Sequence, residues 1–478
     1  MTEIPEDIKK LGKNRDKKLK VAKPAEWIDI DDKGHKHINE IKLAQCLEKK
    51  YKFTLNQFSE HGYWFDPTIN QWKGHADAVI EGSIKDEIVP QGIWRTSLVA
   101  SVAKLVTLDS QTIVDEDPFN NPAPYKAVFG GHTYNLQTDK LEPSSPDNHI
   151  LQSRRYELNM SGKAETWNKW LKQSLVPNSV PQYEDEDHTR LIDECDVAAI
   201  ETVKAFIGFS LIGSYKDFQI YMILYGSGGE GKSTFLNKFM KIIGKTNVSN
   251  VSLEALSDQQ EAKFATSKLY HKSANVFADI SPKFMNQTNI VKTLTGGDTT
   301  TAQFKYQDPF EFENEAKLIF SANDLPAFND FTDGFKRRPI IVTFHKIKHF
   351  KEQFKDEDFE REMPAFVHEC LLAYKNALET GTFPVTKYMK QQKQDWINAN
   401  DNIGNWISDC CTTNPGDKEK AVYLYNNYKN YCQNTAVPCL GNKRFVKEMT
   451  KRGYIHGAIK INGKTYKGYK GIALQNKN

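Results

Sequence analysis

A glycine-rich loop between an apolar run and an amphipathic segment is the feature that most constrains how this chain can fold. Residues 226–234 read GSGGEGKST and directly follow the apolar run FQIYMILY, residues 218–225. After the loop, apolar residues recur at helical spacing as far as Gly244, and glycine commonly ends helices. The pattern therefore predicts a β-strand, a tight loop and an α-helix in succession, within an α/β multidomain fold.

The residue types in this loop suit the phosphates of a nucleotide. Gly226, Gly231, Lys232 and Ser233 satisfy the pattern G-x-x-x-x-G-K-[ST]. Glycines let backbone N–H groups turn towards phosphate oxygens, while Lys232 would reach the β- and γ-phosphates and Ser233 would bind Mg²⁺. We therefore expect ATP and Mg²⁺ as cofactors, although the residues leave the choice of nucleotide open. The candidate cofactor-binding segment comprises Gly226, Ser227, Gly228, Gly229, Glu230, Gly231, Lys232, Ser233 and Thr234.

Polar residues adjoin three later apolar runs and could complete a phosphoryl-transfer site. Asp279 ends NVFAD and could hold the metal or the attacking water, or could simply begin a turn. Asn323 ends IFSAN and could orient water beside the γ-phosphate, or form a turn. Arg337 and Arg338 precede IIVTF and could stabilise transition-state charge in a neighbouring subunit, or be surface charge.

Length and composition limit the class of protein. A chain of 478 residues is too long for one ordinary core and predicts several domains. It contains no apolar stretch long enough to span a membrane, and its polar start does not resemble a secretion signal, so we expect a cytoplasmic protein without membrane partners. The seven cysteines include no CxxC pair, so neither a disulfide framework nor a zinc site is predicted.

Residues 226–344 as a whole resemble the core of superfamily-3 helicases, the AAA+ group found in viral, phage and plasmid replication proteins. GSGGEGKST resembles the Walker A motif, NVFADI Walker B, TGGDTTTAQFKY the intermediate B-prime motif and IFSAN the sensor strand. Upstream, FGGHTYNLQTDKLEPSSPDNHILQSRRYELN resembles the conserved stretch that precedes the helicase in poxvirus-type and phage primase-helicases. The resemblance implies an ATP-dependent DNA helicase and replication initiator that forms a hexamer and moves 3′ to 5′.

The resemblance also assigns roles to individual residues. Lys232 and Ser233 become the phosphate and Mg²⁺ contacts, Asp279 the Walker B acid and Asn323 the sensor. Arg337 is the first choice for an arginine that acts on a neighbouring subunit's ATP, with Arg338 as the alternative. Most relatives carry two adjacent acids in Walker B, whereas here the first position is Ala278, so either Asp279 serves alone or another acid contributes.

The B-prime segment links the resemblance to nucleic acid. Thr299 to Phe310 could form a hairpin, which in relatives projects into the central channel. Lys305, between Phe304 and Tyr306, would then contact the phosphates of a single DNA strand. The alternative is an ordinary surface hairpin.

The C-terminal residues predict a second DNA-binding element. From Gly441 to the end, 10 of 38 residues are Lys or Arg and one is acidic. Two predicted helices, Glu419–Cys432 and Asn442–Arg452, precede a basic hairpin around Asn462 and Gly463, which favours a winged helix that binds duplex DNA. The resemblance implies that this duplex is origin DNA, because related initiators recognise their origin with this region. The alternative is a solvated lysine surface. The candidate DNA contacts are Lys443, Arg444, Lys447, Lys451, Lys464, Lys467 and Lys470.

The expected domains follow from these segments. They are an α+β N-terminal domain with a basic arm (1–150), a helical linker or collar (151–205), the ATPase domain (206–345), a helical lid (346–395) and the winged helix (396–478). In the first domain, WIDIDDKGHKH offers Asp29, Asp31 and Asp32. These acids could belong to a primase palm, but a strand followed by a turn is the simpler interpretation.

Two further functions remain open at this level. The same motifs would serve an ATP-driven switch that assembles on origin DNA while another motor unwinds. A small-molecule kinase with a phosphate loop would explain neither the B-prime segment nor the basic C-terminus.

Overall fold

The computed structural model describes residues 25–55, 62–108, 117–119, 123–175, 186–258, 260–280, 288–328, 330–435 and 437–475, with the backbone alone for 186–197. It shows a mixed α/β protein of several units around one parallel sheet. Among these residues, no helix combines the length and apolar character that a membrane crossing requires.

The strands are β1 (Ile28–Ile30), β2 (Lys36–Ile38), β3 (Lys52–Thr54), β4 (Tyr63–Asp66), β5 (Gln71–Gly74), β6 (Lys126–Phe129), β7 (His132–Asn135), β8 (Lys140–Pro143), β9 (Ser153–Arg154), β10 (Tyr221–Tyr225), β11 (Val248–Ser249), β12 (Ala274–Phe277), β13 (Thr299–Gln303), β14 (Pro309–Glu313), β15 (Lys317–Ala322), β16 (Pro339–Thr343), β17 (Cys411–Thr412), β18 (Lys418–Lys420), β19 (Ile455–Ile461), β20 (Lys464–Lys470) and β21 (Ala473–Leu474).

The α-helices are α1 (Glu40–Lys50), α2 (Ala76–Ile88), α3 (Thr96–Leu108), α4 (Glu165–Leu175), α5 (Glu186–Ile212), α6 (Lys232–Ile243), α7 (Leu253–Ser257), α8 (Ala262–Ser267), α9 (Thr288–Leu294), α10 (Asp333–Lys336), α11 (Phe350–Gln353), α12 (Asp356–Thr380), α13 (Lys387–Asn400), α14 (Asn402–Cys410), α15 (Ala421–Asn434) and α16 (Asn442–Lys451).

The central sheet has five parallel strands in the order β11-β12-β15-β10-β16. Ile223 of β10 lies between Phe320 of β15 and Ile341 of β16, and all three side chains are buried. Strands that are covered on both faces carry continuous apolar runs, which is why the sequence revealed them. Because the strands are parallel, their carboxyl ends share one edge of the sheet, and the loop and Asn323 lie there.

The predicted strand, loop and helix are present, with one difference at the start. β10 begins at Tyr221 rather than Phe218, because the ring of Phe218 packs against Tyr374 and Phe383 outside the sheet. The following helix ends at Gly244, whose φ of 88° explains the glycine.

Helices α4, α5, α6 and α12 share one hydrophobic core with a face of the sheet. Trp167 of α4 stacks on Phe366 of α12 with ring centres 4.3 Å apart. Where α5 crosses α12, a Cβ atom on Gly208 would lie 2.3 Å from the carbonyl oxygen of Cys370, so the close approach requires glycine. The predicted boundary at 205/206 lies within α5, and the one at 395/396 lies within α13.

The N-terminal part contains a helical core and two small sheets, with orders β3-β4-β5 and β8-β7-β6-β9. β1 and β2 form a hairpin in which Asp31 accepts hydrogen bonds from the amides of Lys33 and His35 and contacts both His35 and His37 rings. The amide of His35, followed by the ring of His37, lowers the pKa of Asp31 to about 2. The acids of this segment thus form the predicted strand and turn.

The C-terminal unit runs α14, β18, α15, α16, β19, β20, with the strand order β18-β20-β19. Both predicted helices and the predicted hairpin are present. Asn462 (φ 47°) and Gly463 (φ 77°) make its two-residue turn, as their left-handed conformations require. Trp406 of α14 and Phe445 of α16 pack in its core.

Candidate functional site

The loop at the end of β10 is open to solvent and lies at the N-terminus of α6. Gly228, Gly229 and Gly231 have φ angles of 124°, 82° and 94°, which side-chain-bearing residues rarely adopt. Gly231 is the residue before α6, so the unpaired N–H groups of the first helical turn face the loop. Ser233 lies in that turn and is exposed.

Lys232 connects the loop to the neighbouring strand. Its side chain is buried, and Nζ donates to the carbonyl oxygen of Gly226 at 2.6 Å and to Oδ1 of Asn323 at 3.0 Å. Asn323 follows β15, which lies beside β10 in the sheet. The structure therefore brings together two predicted site residues that are 91 positions apart.

Glu230 is a loop residue whose side-chain role the sequence did not reveal. Its carboxylate accepts hydrogen bonds from the Ser227 hydroxyl (2.9 Å) and the Gly228 amide (2.8 Å), and lies 3.2 Å from Lys232 Nζ. Burial favours the neutral acid, but these hydrogen bonds outweigh it and lower the pKa of Glu230 to about 2. Glu230 therefore places a negative charge beside Lys232. The position is variable in the loop pattern, so the motif gave no signal for it.

Asp279 lies beyond the end of β12, one strand further from the loop. Its backbone has a φ of 53°, and its amide donates to Ser321 Oγ of β15 at 3.0 Å. The side chain is exposed, as is that of Ala278. β15 separates β12 from β10, so Asn323 lies between the loop and Asp279 along the sheet edge. Ser321 was not among the predicted residues, although it stands in the IFSAN segment.

Arg337 and Arg338 lie at the opposite edge of the sheet, before β16. Arg338 is buried: Nε donates to Thr295 Oγ1 at 2.8 Å, and the guanidinium also bonds the Gly334 carbonyl oxygen. Burial, followed by the nearby charge of Arg337, lowers the pKa of Arg338. Arg337 is exposed and contacts Gln219. The structure thus gives Arg338 intramolecular contacts and leaves Arg337 at the surface.

The B-prime segment is a hairpin of β13 and β14, longer at its end than predicted because it continues to Glu313. Lys305 and Tyr306 are exposed at its turn, and Tyr306 has a φ of 68°. Phe304 is half-buried and stacks on Phe310 with ring centres 5.0 Å apart. Lys305 and Tyr306 are therefore the accessible pair, while Phe304 anchors the turn.

The predicted basic residues of the C-terminal unit are all exposed, and they occupy two elements. Lys451 also bonds Glu448 at 2.8 Å, one turn away on α16. Lys420, which the sequence did not single out, lies over the ring of Tyr466 on β20, with Nζ 3.9 Å from the ring centre. The helix contributes Lys443, Arg444, Lys447 and Lys451, and β20 contributes Lys464, Lys467 and Lys470.

Metal-ligand clusters and cavities are the other kinds of site that the described residues could form. In this part of the chain no group of three or more His, Cys, Asp or Glu side chains is arranged to hold a metal ion. A cavity of about 290 Å³ lies at the amino ends of the sheet strands, opposite the loop. Arg154 and Lys317 are among the residues that line it. Its residues do not include the loop.

Three comparisons with known proteins are informative to different degrees. Residues 224–338, roughly a quarter of the chain, match a model described as a family of unknown function (DUF5906). The chain is 26% identical over 153 residues to "Putative helicase L207/L206" of Acanthamoeba polyphaga mimivirus; the match covers 31% of this chain and 16% of the viral protein. Two solved structures of the NrS-1 C-terminal region are 13% and 14% identical to this chain, each with a TM-score of 0.45. The matches cover 90% and 91% of this chain and 99% of each NrS-1 chain.

Proposed function

We propose that this protein is an ATP-dependent DNA helicase and replication initiator of a mobile genetic element, with an AAA+ core of the superfamily-3 type. The sequence resembles the Rep initiators of staphylococcal pathogenicity islands. The similarity to a viral protein named as a helicase supports the same class of function.

The contact between Lys232 and Asn323 is the observation that carries this proposal. A lysine that reaches the γ-phosphate from the loop would bring that phosphate beside Asn323 Oδ1, now 3.0 Å from Lys232 Nζ. Asn323 would there orient the attacking water. Asp279, beyond the end of β12, and Ser233 would hold Mg²⁺, which neutralises phosphate charge when bound. Lys232, the loop amides and the α6 N-terminus would bind the phosphates.

The position of Arg337 supports a site shared between subunits. The five residues of β16 separate Arg337 from the edge that carries the loop, about 16 Å at the usual rise per residue. Arg337 would therefore act on the ATP of a neighbouring subunit, where its charge stabilises the transition state. This arrangement favours a closed ring, for which the family implies six subunits.

Two basic surfaces supply the DNA contacts of the proposal. Lys305 and Tyr306 at the hairpin turn would hold one strand in the channel while the protein moves along that strand 3′ to 5′. The C-terminal order of helix, strand, two helices and hairpin supports a winged helix, in which α16 enters a groove of origin duplex and β20 contacts phosphates.

Asn323→Ala tests the contact on which the proposal depends. We expect the DNA-stimulated rate of ATP hydrolysis to fall roughly tenfold or more, because the water loses its orienting group, while the Kd for ATP changes little. Asp324→Ala is the matched control, since Asp324 is the next residue and equally exposed. Equal rates for the two variants would remove Asn323 from the site.

A further inference from the structure

A buried carboxylate joins the N-terminal part of the chain to the segment below the β13–β14 hairpin. Asp117 is 5% exposed, and its Oδ2 accepts hydrogen bonds from the Tyr270 hydroxyl and from His271 Nε2, the latter at 2.7 Å. Its Oδ1 accepts the amide of Phe119 at 3.0 Å. Tyr270 and His271 lie just before β12, more than 150 residues from Asp117.

On one side, this carboxylate is fixed within the N-terminal part. The ring of Phe119, two residues away, is buried 4.6 Å from that of Tyr63 on β4 and 5.3 Å from that of Trp72 on β5. The indole of Trp72 donates to the carbonyl oxygen of Pro146 at 2.9 Å. Asp117 is thus anchored by packed rings from the sheet β3-β4-β5.

On the other side, Tyr270 supports the hairpin. Its ring centre lies 4.9 Å from that of Phe310 and 5.3 Å from that of Phe312, both on β14. Phe310 in turn stacks on Phe304, the residue before Lys305. A continuous set of packed rings therefore runs from Asp117 to the exposed turn of the hairpin.

The backbone at this junction is strained. His271 has a φ of 56°, a conformation that non-glycine residues adopt only when surrounding contacts enforce it. Its hydrogen bond to Asp117 and the edge-on packing of its ring against Tyr63 and Phe119 are such contacts. The N-terminal part therefore helps to hold His271 and Tyr270 in place.

We propose that the N-terminal unit positions the DNA-contacting hairpin, with Asp117 and Tyr270 as positioning residues that act through Phe310 and Phe304 on Lys305. This inference rests on the proposed function, since it assumes that the hairpin contacts DNA. The junction lies at the amino edge of the sheet, opposite the loop, so the network affects the grip on DNA and leaves ATP binding and basal hydrolysis unchanged.

The chain offers a closely matched control for this experiment. Tyr134 donates to Asp139 Oδ1 at 2.8 Å, and His368 Nε2 lies 2.9 Å from the same oxygen. This second trio of Tyr, Asp and His has the same chemistry, and Tyr134 is fully buried, but it has no ring contact with the hairpin. Tyr134→Phe therefore reports the general cost of losing such a hydroxyl.

ATP hydrolysis is measured against the concentration of a single-stranded oligonucleotide for wild type, Tyr270→Phe, Asp117→Asn and Tyr134→Phe. We expect Tyr270→Phe and Asp117→Asn to keep the basal rate and to need about fivefold more DNA for half-maximal stimulation. Tyr134→Phe should leave that concentration unchanged. Equal DNA requirements for Tyr270→Phe and Tyr134→Phe, or loss of the basal rate in both junction variants, would overturn the inference.

The variant Lys305→Ala distinguishes failure of this inference from failure of the proposed function. If Lys305→Ala raises the DNA requirement and the junction variants do not, the hairpin contacts DNA but is not positioned through Asp117. If wild type shows no stimulation by DNA, the proposed function itself fails.

Discussion

At the scale of residues, the loop combines features that the motif predicts with one that it does not. Lys232 contacts the carbonyl oxygen of Gly226 and three glycines of the loop have positive φ, while their role in binding phosphate stays a prediction. Glu230 adds a carboxylate 3.2 Å from Lys232 Nζ, held by the loop's own donors. A phosphate that binds here must compete with this charge, because both interact with the same lysine and amides.

Glu230→Gln should therefore bind nucleotide more tightly. One unit charge at about 4 Å is worth about 1 kcal/mol in water-like surroundings, so we expect the Kd for ATP to fall roughly fivefold. The pKa of Glu230 is lowered from its ordinary value of 4.5 to about 2. The carboxylate is therefore fully charged at any pH above 4.5, and its interactions weaken only as the pH falls towards 2. The ratio of the two Kd values should thus be constant from pH 5.5 to 8. Titration with a fluorescent ATP analogue measures both Kd values. Weaker binding by Glu230→Gln would show that the carboxylate stabilises the conformation of the loop and does not compete with phosphate.

At the scale of elements, the sequence predicted those helices, strands and turns that are determined by residues close together in the chain. β10, α6 and the hairpin turn at Asn462–Gly463 follow from local periodicity and turn residues, whereas the β13–β14 hairpin was expected from the resemblance to the B-prime motif. The sequence did not reveal α14, in which Ile403, Trp406 and Ile407 have helical spacing over little more than two turns, or β18, whose three residues are too few to show a pattern. Nor could it reveal the contact of Asp117 with Tyr270, because no local pattern specifies a partner that distant.

The contacts of helix α13 show where the C-terminal unit begins. Its Trp396 donates to the carbonyl oxygen of Pro326 at 3.0 Å and packs on Phe328, and Asn400 Oδ1 accepts the amide of Phe328 at 3.0 Å. The residues up to 400 thus pack with the unit that contains the parallel sheet, although 396–478 were expected to form the winged helix.

A chain shortened to residues 1–400 should hydrolyse ATP at near the wild-type rate and lose specific binding to origin duplex. A chain shortened to 1–395 should also lose thermal stability by several degrees, because loss of a buried Trp costs about 3 kcal/mol or more. Footprinting and thermal melting measure the two effects. Specific duplex binding by the 1–400 chain would place origin recognition elsewhere.

At the scale of the whole molecule, the structure separates the loop from the base of the hairpin that we propose contacts DNA. The loop, Asn323 and Asp279 lie at the carboxyl edge of the parallel sheet, whereas Arg337 and the base of the β13–β14 hairpin lie towards the amino edge. In a ring, the amino edge of one subunit would complete the ATP site of the next. Hydrolysis would then move the hairpins relative to one another, which is the proposed route from ATP to unwinding.

The most direct measurement of this account is ATP-driven strand displacement on forked DNA that carries either a 3′ or a 5′ single-stranded arm. Lys232→Ala serves as the control without ATP turnover and Lys305→Ala as the control without a DNA grip. We expect displacement by wild type that requires the 3′ arm and is absent in both variants. ATP hydrolysis by wild type without displacement on any fork would contradict the motor and favour the switch that assembles on origin DNA.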